Sequence, residues 1–265
     1  MKLLMILFFS VTALFSNEYY AKVEPIEIRN ISSNVSGLVI SADEKNLGTM
    51  LFDKPYIKID ALLDLQELRY IKDKLQYLRK TLTINEGVLS NLENALKRKR
   101  VNYERVASLK IKSQLEKDRE YYDLINSENQ FLSTQKEIQN LKVQITDLKL
   151  RKAKLNQSVK DKNLKAQGYV LYELNVKAGQ VVNPSTPLAK VADISKAKLT
   201  IYLNKEELNR AKEKIIYLNG KKTDYKVSRV ISIADSKNIS KYMAQIIIDA
   251  PKVFSSLVKV ELKDE

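Results

Sequence analysis

Leu68-Arg-Tyr-Ile71-Lys-Asp-Lys-Leu75-Gln-Tyr-Leu78-Arg-Lys-Thr-Leu82 opens the stretch that decides the fold. Leu68, Leu75, Leu82, Leu89, Leu96 and Tyr103 recur every seventh residue. A second row stands three places later, at Ile71, Leu78, Leu92 and Val106, with Asn85 and Lys99 as polar breaks. Two apolar rows spaced three and four apart form the a/d seam of a coiled coil. Between Tyr56 and Gln167 there is no proline and a single glycine, Gly87. Turns need the backbone angles of those two residues, so their absence predicts long helix.

Past the middle the pattern restarts. Leu124, Phe131, Ile138 and Ile145 make one row; Ser127, Thr134, Leu141, Leu148 and Leu155 make the other. The two registers do not join. The first row, continued from Tyr103, falls on Lys110 and Lys117; the second falls on Ser113 and Glu120. The seam is lost over 107–117, and the midpoint of 60–166 is Ser113. This predicts two antiparallel helices of about 50 residues, each ~75 Å long. The alternative is one unbroken helix that dimerises through its seam.

The flanks separate the two. Residues 22–30 suggest a short strand, followed by Ile31-Ser-Ser-Asn-Val-Ser-Gly-Leu-Val-Ile40. Tyr56-Ile-Lys-Ile59 alternates as a strand does, and Asp60 is placed to cap the first helix. After the helices similar words return. Gly37 and Gly48 are eleven residues apart, and so are Gly168 and Gly179; the offset of 131 between the two pairs also relates Val39 to Val170, Leu51 to Val182 and Ile57 to Leu188. These glycines are read as structural turns of an internal repeat. Neither half can bury a core alone, but two can pack as a small sandwich if 60 and 166 lie side by side. A hairpin brings those ends together and a rod holds them apart, so the repeat favours the hairpin.

The N-terminus carries one lysine, an apolar run Leu3–Phe15, then Ser16-Asn17-Glu18. That is the pattern of a secretory signal peptide, cut after Ser16, with Ala13 and Ala21 as weaker sites. The run is short of the ~20 residues of a membrane span; an uncleaved anchor is the second reading. The expected product is soluble outside the cytoplasm unless the leader stays. The 265-residue chain is 44% hydrophobic, enough for one or two small cores beside the helices. It has no cysteine, so no disulfide and no lipid on an N-terminal Cys. The net charge of +14 suggests nucleic acid at first sight. Export argues against that, and lysines interleaved with glutamates along heptad flanks read as a solvated face. An affinity for an acidic partner or for anionic lipid stays open.

Chemistry is sparse. With no histidine and no cysteine, the commonest general base and zinc ligands are missing. There is no glycine-rich phosphate loop. The expectation is a non-enzyme with no cofactor and no catalytic or metal site.

The Ser-Asn-Val-Ser-Gly-Leu-Val stretch from Ser33, the helical insertion, and Gly168-Tyr-Val with the Lys-Ala-Gly-Gln-Val-Val and Thr-Pro-Leu-Ala-Lys-Val-Ala-Asp-Ile-Ser runs resemble the periplasmic adaptor (membrane fusion protein, HlyD) family over about 25–260. The resemblance implies an α+β chain: a long antiparallel coiled-coil hairpin (60–166) inserted in a split lipoyl-like β-sandwich (17–59 and 167–196), followed by a small β-barrel (197–265). It also implies a reduced or absent fourth domain. No lipoyl or biotinyl lysine is expected, because the hairpin occupies the turn that carries it. The implied function is to link an inner-membrane transporter, of resistance-nodulation-division or ABC type, to a TolC-like outer-membrane channel. The protein would work from the periplasm as a homo-oligomer. The alternative is a structural coiled-coil envelope protein, or a regulator of a cell-wall enzyme, without a transporter. The family's hairpin tip carries Arg, then Leu four residues on, then Ser seven beyond. Arg105 and Leu109 match; Ser113 follows Leu109 by four. The other reading of these three is ordinary helix and turn residues.

In the last third, Lys198–Leu203, Tyr225–Ile233, Tyr242–Asp249 and Leu257–Leu262 are predicted strands, Lys205–Lys212 a short helix, and Asn219-Gly220 a hairpin turn after Ile215–Leu218.

Overall fold

A computed structural model describes residues 17–234 and 240–264. The signal-peptide reading of 1–16 falls outside these residues. Two compact units result: residues 34–40 with 57–164, and the remaining described residues.

The first unit is the hairpin. Helix α1 (Leu62–Ser108) has 47 residues and α2 (Gln114–Asp161) has 48. Asp60 accepts the Leu62 N–H at 2.9 Å, taking up one of the open donors of the first turn. The seam packs as the heptads demand. Ile71, Leu75, Leu96, Leu124, Ser127, Ile138, Leu141 and Ile145 are buried. The other seam positions, Asn85 and Lys99 included, are half-buried, while most flanking positions are exposed. Ion pairs tie one helix to the other, from the seam position Lys99 to Asp123 at 2.8 Å and, on its flanks, from Arg100 to Glu128 at 3.4 Å, Lys142 to Glu86 at 3.5 Å, and Arg151 to Glu67. At the base Asp64 takes Lys162 at 3.0 Å and the Ser158 hydroxyl at 2.6 Å. Partial burial pushes its carboxyl upward, but those two hydrogen bonds outweigh it and the net shift is down. Strand β2 (Gly37–Ala42) and β3 (Ile57–Ile59) lead into α1, and β4 (Asn163–Leu164) follows α2. β3 and β4 pair through Ile57↔Leu164 and Lys58↔Asn163, so the hairpin's two ends are neighbours.

In the second unit the long strand β1 (Asn17–Ser32) is joined by β5 (Val170–Leu174), β6 (Val181–Val182), β7 (Pro187–Leu203), a one-turn helix α3 (Lys205–Leu208), β8 (Ile215–Leu218), β9 (Lys221–Lys222), β10 (Val227–Ala234), β11 (Tyr242–Asp249) and β12 (Leu257–Lys263). Most of them form one antiparallel sheet in the order β10-β11-β7-β1-β12-β8-β9, with β5 beside β7. Val227 on β10 and Ile216 on β8 stand far apart in that order. Yet both enter one core with Val23, Leu199, Ile201, Ile246, Val260 and Leu262, so the sheet curls around it. Asn219 and Gly220 take φ of 49° and 80°, the pair of positive angles a two-residue hairpin turn needs.

The segments before and after the hairpin are stitched together in this unit. The Leu51 N–H donates to Tyr169 O at 2.7 Å, Gly168 to Leu51 O at 3.0 Å, and Gly48 to Leu171 O at 2.8 Å. Four details differ from the sequence reading. Helix α3 stops at Leu208, four residues before Lys212. β7 runs unbroken through 196–197, and Asn17–Lys22 pairs with β12 rather than with the lipoyl-like strands. Gly37 and Gly168, equivalent in the sequence repeat, adopt φ of 159° and 83°; Gly48 and Gly179 agree better, at 76° and 92°. Gly37 is extended and serves close approach instead, since a Cβ there would lie 2.6 Å from Ile59 Cγ2.

Candidate docking tip

The chain reverses over residues 109–113, between the last turn of α1 and the first of α2. All three candidate residues of the sequence lie there. Arg105 sits in the last turn of α1, where a cation faces the helix's negative end. Its guanidinium donates to Asn102 Oδ1 at 2.6 Å, and Asn102 Nδ2 donates to Glu120 Oε2 of α2 at 2.7 Å. Leu109 is the first residue after α1; its N–H donates to Val106 O at 3.2 Å and its side chain is 39% exposed.

Ser113 is the N-cap of α2. Its Oγ accepts the Glu116 N–H at 3.3 Å, and Glu116 Oε2 accepts the Ser113 N–H at 3.0 Å, a reciprocal capping box. Lys112 joins from the turn, 2.9 Å from Glu116 Oε1. The lysine ammonium, then the Ser113 N–H and hydroxyl, hold the Glu116 carboxyl down at about 2. Ser113 therefore fixes where α2 starts and how sharply the chain turns. Behind the turn, Tyr103 and Tyr121 pack across the seam with ring centroids 5.7 Å apart, and Tyr121 meets Tyr122 at 5.9 Å. A polar groove of about 630 Å³ runs beside them, lined by Val106, Lys112, Glu116, Arg119, Glu120 and Tyr122.

Two residues at the tip escaped the sequence reading. Ile111 is 88% and Leu115 80% exposed. Together with Leu109 they give a short, rigidly capped turn three outward aliphatic side chains. The available signal was local: an isoleucine between Lys110 and Lys112, outside either seam register, has no core to enter.

No protein-family model matches the chain, and no curated protein matches it by sequence. Solved structures do. MacA from Actinobacillus actinomycetemcomitans superposes over 94% of this chain and 78% of its own, with TM-score 0.64 and 17% identity. The membrane fusion protein Spr0693 from Streptococcus pneumoniae R6 superposes over 94% and 100%, with TM-score 0.57 and 11% identity.

The fold is that of a membrane fusion protein.

A MacA–MexA chimera containing the Pseudomonas aeruginosa MexA α-hairpin domain is also similar, over 95% and 82%, with TM-score 0.56 and 14% identity. Identities this low speak for shared architecture alone. That architecture, a long helical hairpin and antiparallel sheets, agrees with the resemblance read from the glycine turns and the coiled coil. Among the described residues no group of acidic side chains is arranged to hold a metal ion, and no helix is long and apolar enough to cross a membrane.

Proposed function

We propose that this chain is a periplasmic adaptor that links an inner-membrane transporter to an outer-membrane channel, with no catalytic step of its own. The observation that carries the reading is the hairpin. A pair of helices of 47 and 48 residues is ~70 Å long and ends in a capped turn with bare aliphatic side chains. A rod of that length with an apolar, rigid end suits docking at a distance, because exposed apolar surface on an ordered turn is costly unless a partner covers it. Arg105 and Leu109 are the docking residues in this reading. Ser113 acts through the cap that holds the turn, and Ile111 and Leu115 extend the apolar contact. Several copies stand side by side around a conduit, the sheets near the transporter and the tips at the channel.

The test is Leu109→Asp. Leu109 is 39% exposed and is not among the buried core residues, so helical content and thermal midpoint are expected to stay as in the parent. Export by the intact system is expected to stop, and a channel that co-purifies with the parent is expected to be lost. Normal export by a folded Leu109→Asp variant would refute the tip assignment.

A further inference from the structure

Lys97-Arg98-Lys99-Arg100 is the densest cationic run of α1, and the fold divides it in two. Lys99 and Arg100 turn toward α2 and are neutralised by Asp123 and Glu128. Lys97 and Arg98 turn the other way. With Val101, Asn102 and Arg105 they line a groove of about 430 Å³ on the outer side of α1, close to the tip. Among the described residues no carboxylate pairs with Lys97, Arg98 or Arg105; the Arg105 guanidinium donates to Asn102. Glu93 and Glu104 lie within a turn along the helix but do not line the groove. Val101 stands between the cations and is 60% exposed. Helix geometry sets the spacing: 97, 101 and 105 lie at i, i+4 and i+8, a row ~12 Å long.

We propose that this groove is a docking site for an acidic α-helix of a partner protein, with carboxylates one turn apart meeting Lys97, Arg98 and Arg105 and an aliphatic side chain meeting Val101. The inference rests on the adaptor reading and names the chemistry of a docking partner beside the tip. Charge complementarity selects the occupant. Three cations with no counter-charge repel one another and favour an anionic surface; two of them are arginines, whose forks suit paired carboxylate oxygens. A second copy of this chain is a poor occupant. The acids of α2 at this height, Glu116, Glu120, Asp123 and Glu128, already have partners. A groove farther from the tip is the natural comparator. Lys72, Arg79, Lys80 and Lys152 line about 440 Å³ there, with no ion pair among the described residues, but its leucine, Leu75, is only 5% exposed. It has the charge without the apolar anchor.

The experiment uses the full chain and a fluorescent synthetic helix of about 20 residues, with a glutamate stripe at helical spacing around one leucine. A glutamine-stripe peptide and phosphatidylglycerol vesicles are the alternative probes. Binding of the glutamate peptide is expected, with the combined Lys97→Gln, Arg98→Gln, Arg105→Gln variant weakening it about tenfold, the sum of three exposed charge pairs. Val101→Ala is expected to weaken it less. The combined Lys72→Gln, Arg79→Gln, Lys80→Gln variant, with the same change of charge, is expected to bind as the parent does. Equal losses in both combined variants, equal binding of the glutamine peptide, or vesicles bound in place of the peptide would each overturn the proposal, as would no peptide binding by the parent. Export in cells separates this inference from the adaptor reading. If Leu109→Asp stops export while the Lys97, Arg98, Arg105 variant keeps both export and peptide affinity, the adaptor reading stands on Leu109 without Arg105, and the groove assignment falls. If Leu109→Asp exports normally, the adaptor reading falls and the peptide titration alone judges the groove.

Discussion

Asn85 occupies a seam position between Leu82 and Leu89, and its Nδ2 is buried with no hydrogen-bond partner. Replacing it with leucine changes two things of the same sign. The unpaired amide donor disappears, and a buried donor without a partner costs about 1–3 kcal/mol. A half-buried leucine adds roughly 1 kcal/mol of apolar burial. Against these stands the strain of a bulkier side chain in a packed seam, about 1 kcal/mol. Asn85→Leu should therefore stabilise the hairpin by about 2 kcal/mol. Urea titration followed by circular dichroism at 222 nm reads this as a higher midpoint at unchanged slope. A polar residue in an apolar seam also restricts which register is acceptable. The chain has no cysteine, so a spin-label pair at introduced cysteines, Glu93→Cys and Gln130→Cys, reports only the hairpin. Its distance distribution should broaden in Asn85→Leu. A lower or unchanged urea midpoint would mean that the amide is satisfied and the seam reading at this position is wrong.

Other outcomes are equally direct. Gly37→Ala places a methyl 2.6 Å from Ile59 Cγ2, a residue 1% exposed, and should cost about 1–3 kcal/mol in urea titration; a neutral result would show that Ile59 yields. The Glu116 carboxyl lies below its ordinary 4.5, at about 2, so the capping box contributes fully above pH 4.5 and its contribution fades as pH falls toward 2. Amide exchange at the start of α2 should accelerate over that window, and Glu116→Gln should remove the pH dependence there. Tyr56 runs the opposite way. Burial raises its phenol from 10.0 to about 12, so the neutral form is favoured in the folded chain; that contribution is intact below pH 10 and lost between 10 and 12. The parent should lose stability across that range faster than Tyr56→Phe does.

What the sequence made legible was whatever is written at short period. The heptad rows name the buried faces of α1 and α2, and the lysines at 110 and 117 mark where the seam dissolves around the turn. Asn219-Gly220 announces its own geometry, and the alternation of Tyr242–Asp249 coincides with β11. What was not legible depends on distant partners. β1 pairs with β12 over Asn17–Lys22 and with β7 from Val23 onward, and nothing in its own residues says where one partner gives way to the other. Gly37 and Gly168 look equivalent because glycine serves two different needs, a positive φ at one and a close neighbour at the other. At the tip, Arg105, Leu109 and Ser113 stood out through a resemblance. The hydroxyl of Ser113 is used by Glu116, and the unmatched cations of the outer groove emerge only once the fold shows which of four consecutive basic residues have acidic partners.

β7 carries a mechanical consequence. One uninterrupted strand of 17 residues serves β5 at its first half and β11 at its second, with β1 alongside across both. Bending there would break several ladder bonds at once, whereas a linker would fold at a single peptide. A pull applied to one end of this sheet is thus delivered to the other as rotation of a plank, not absorbed by a joint.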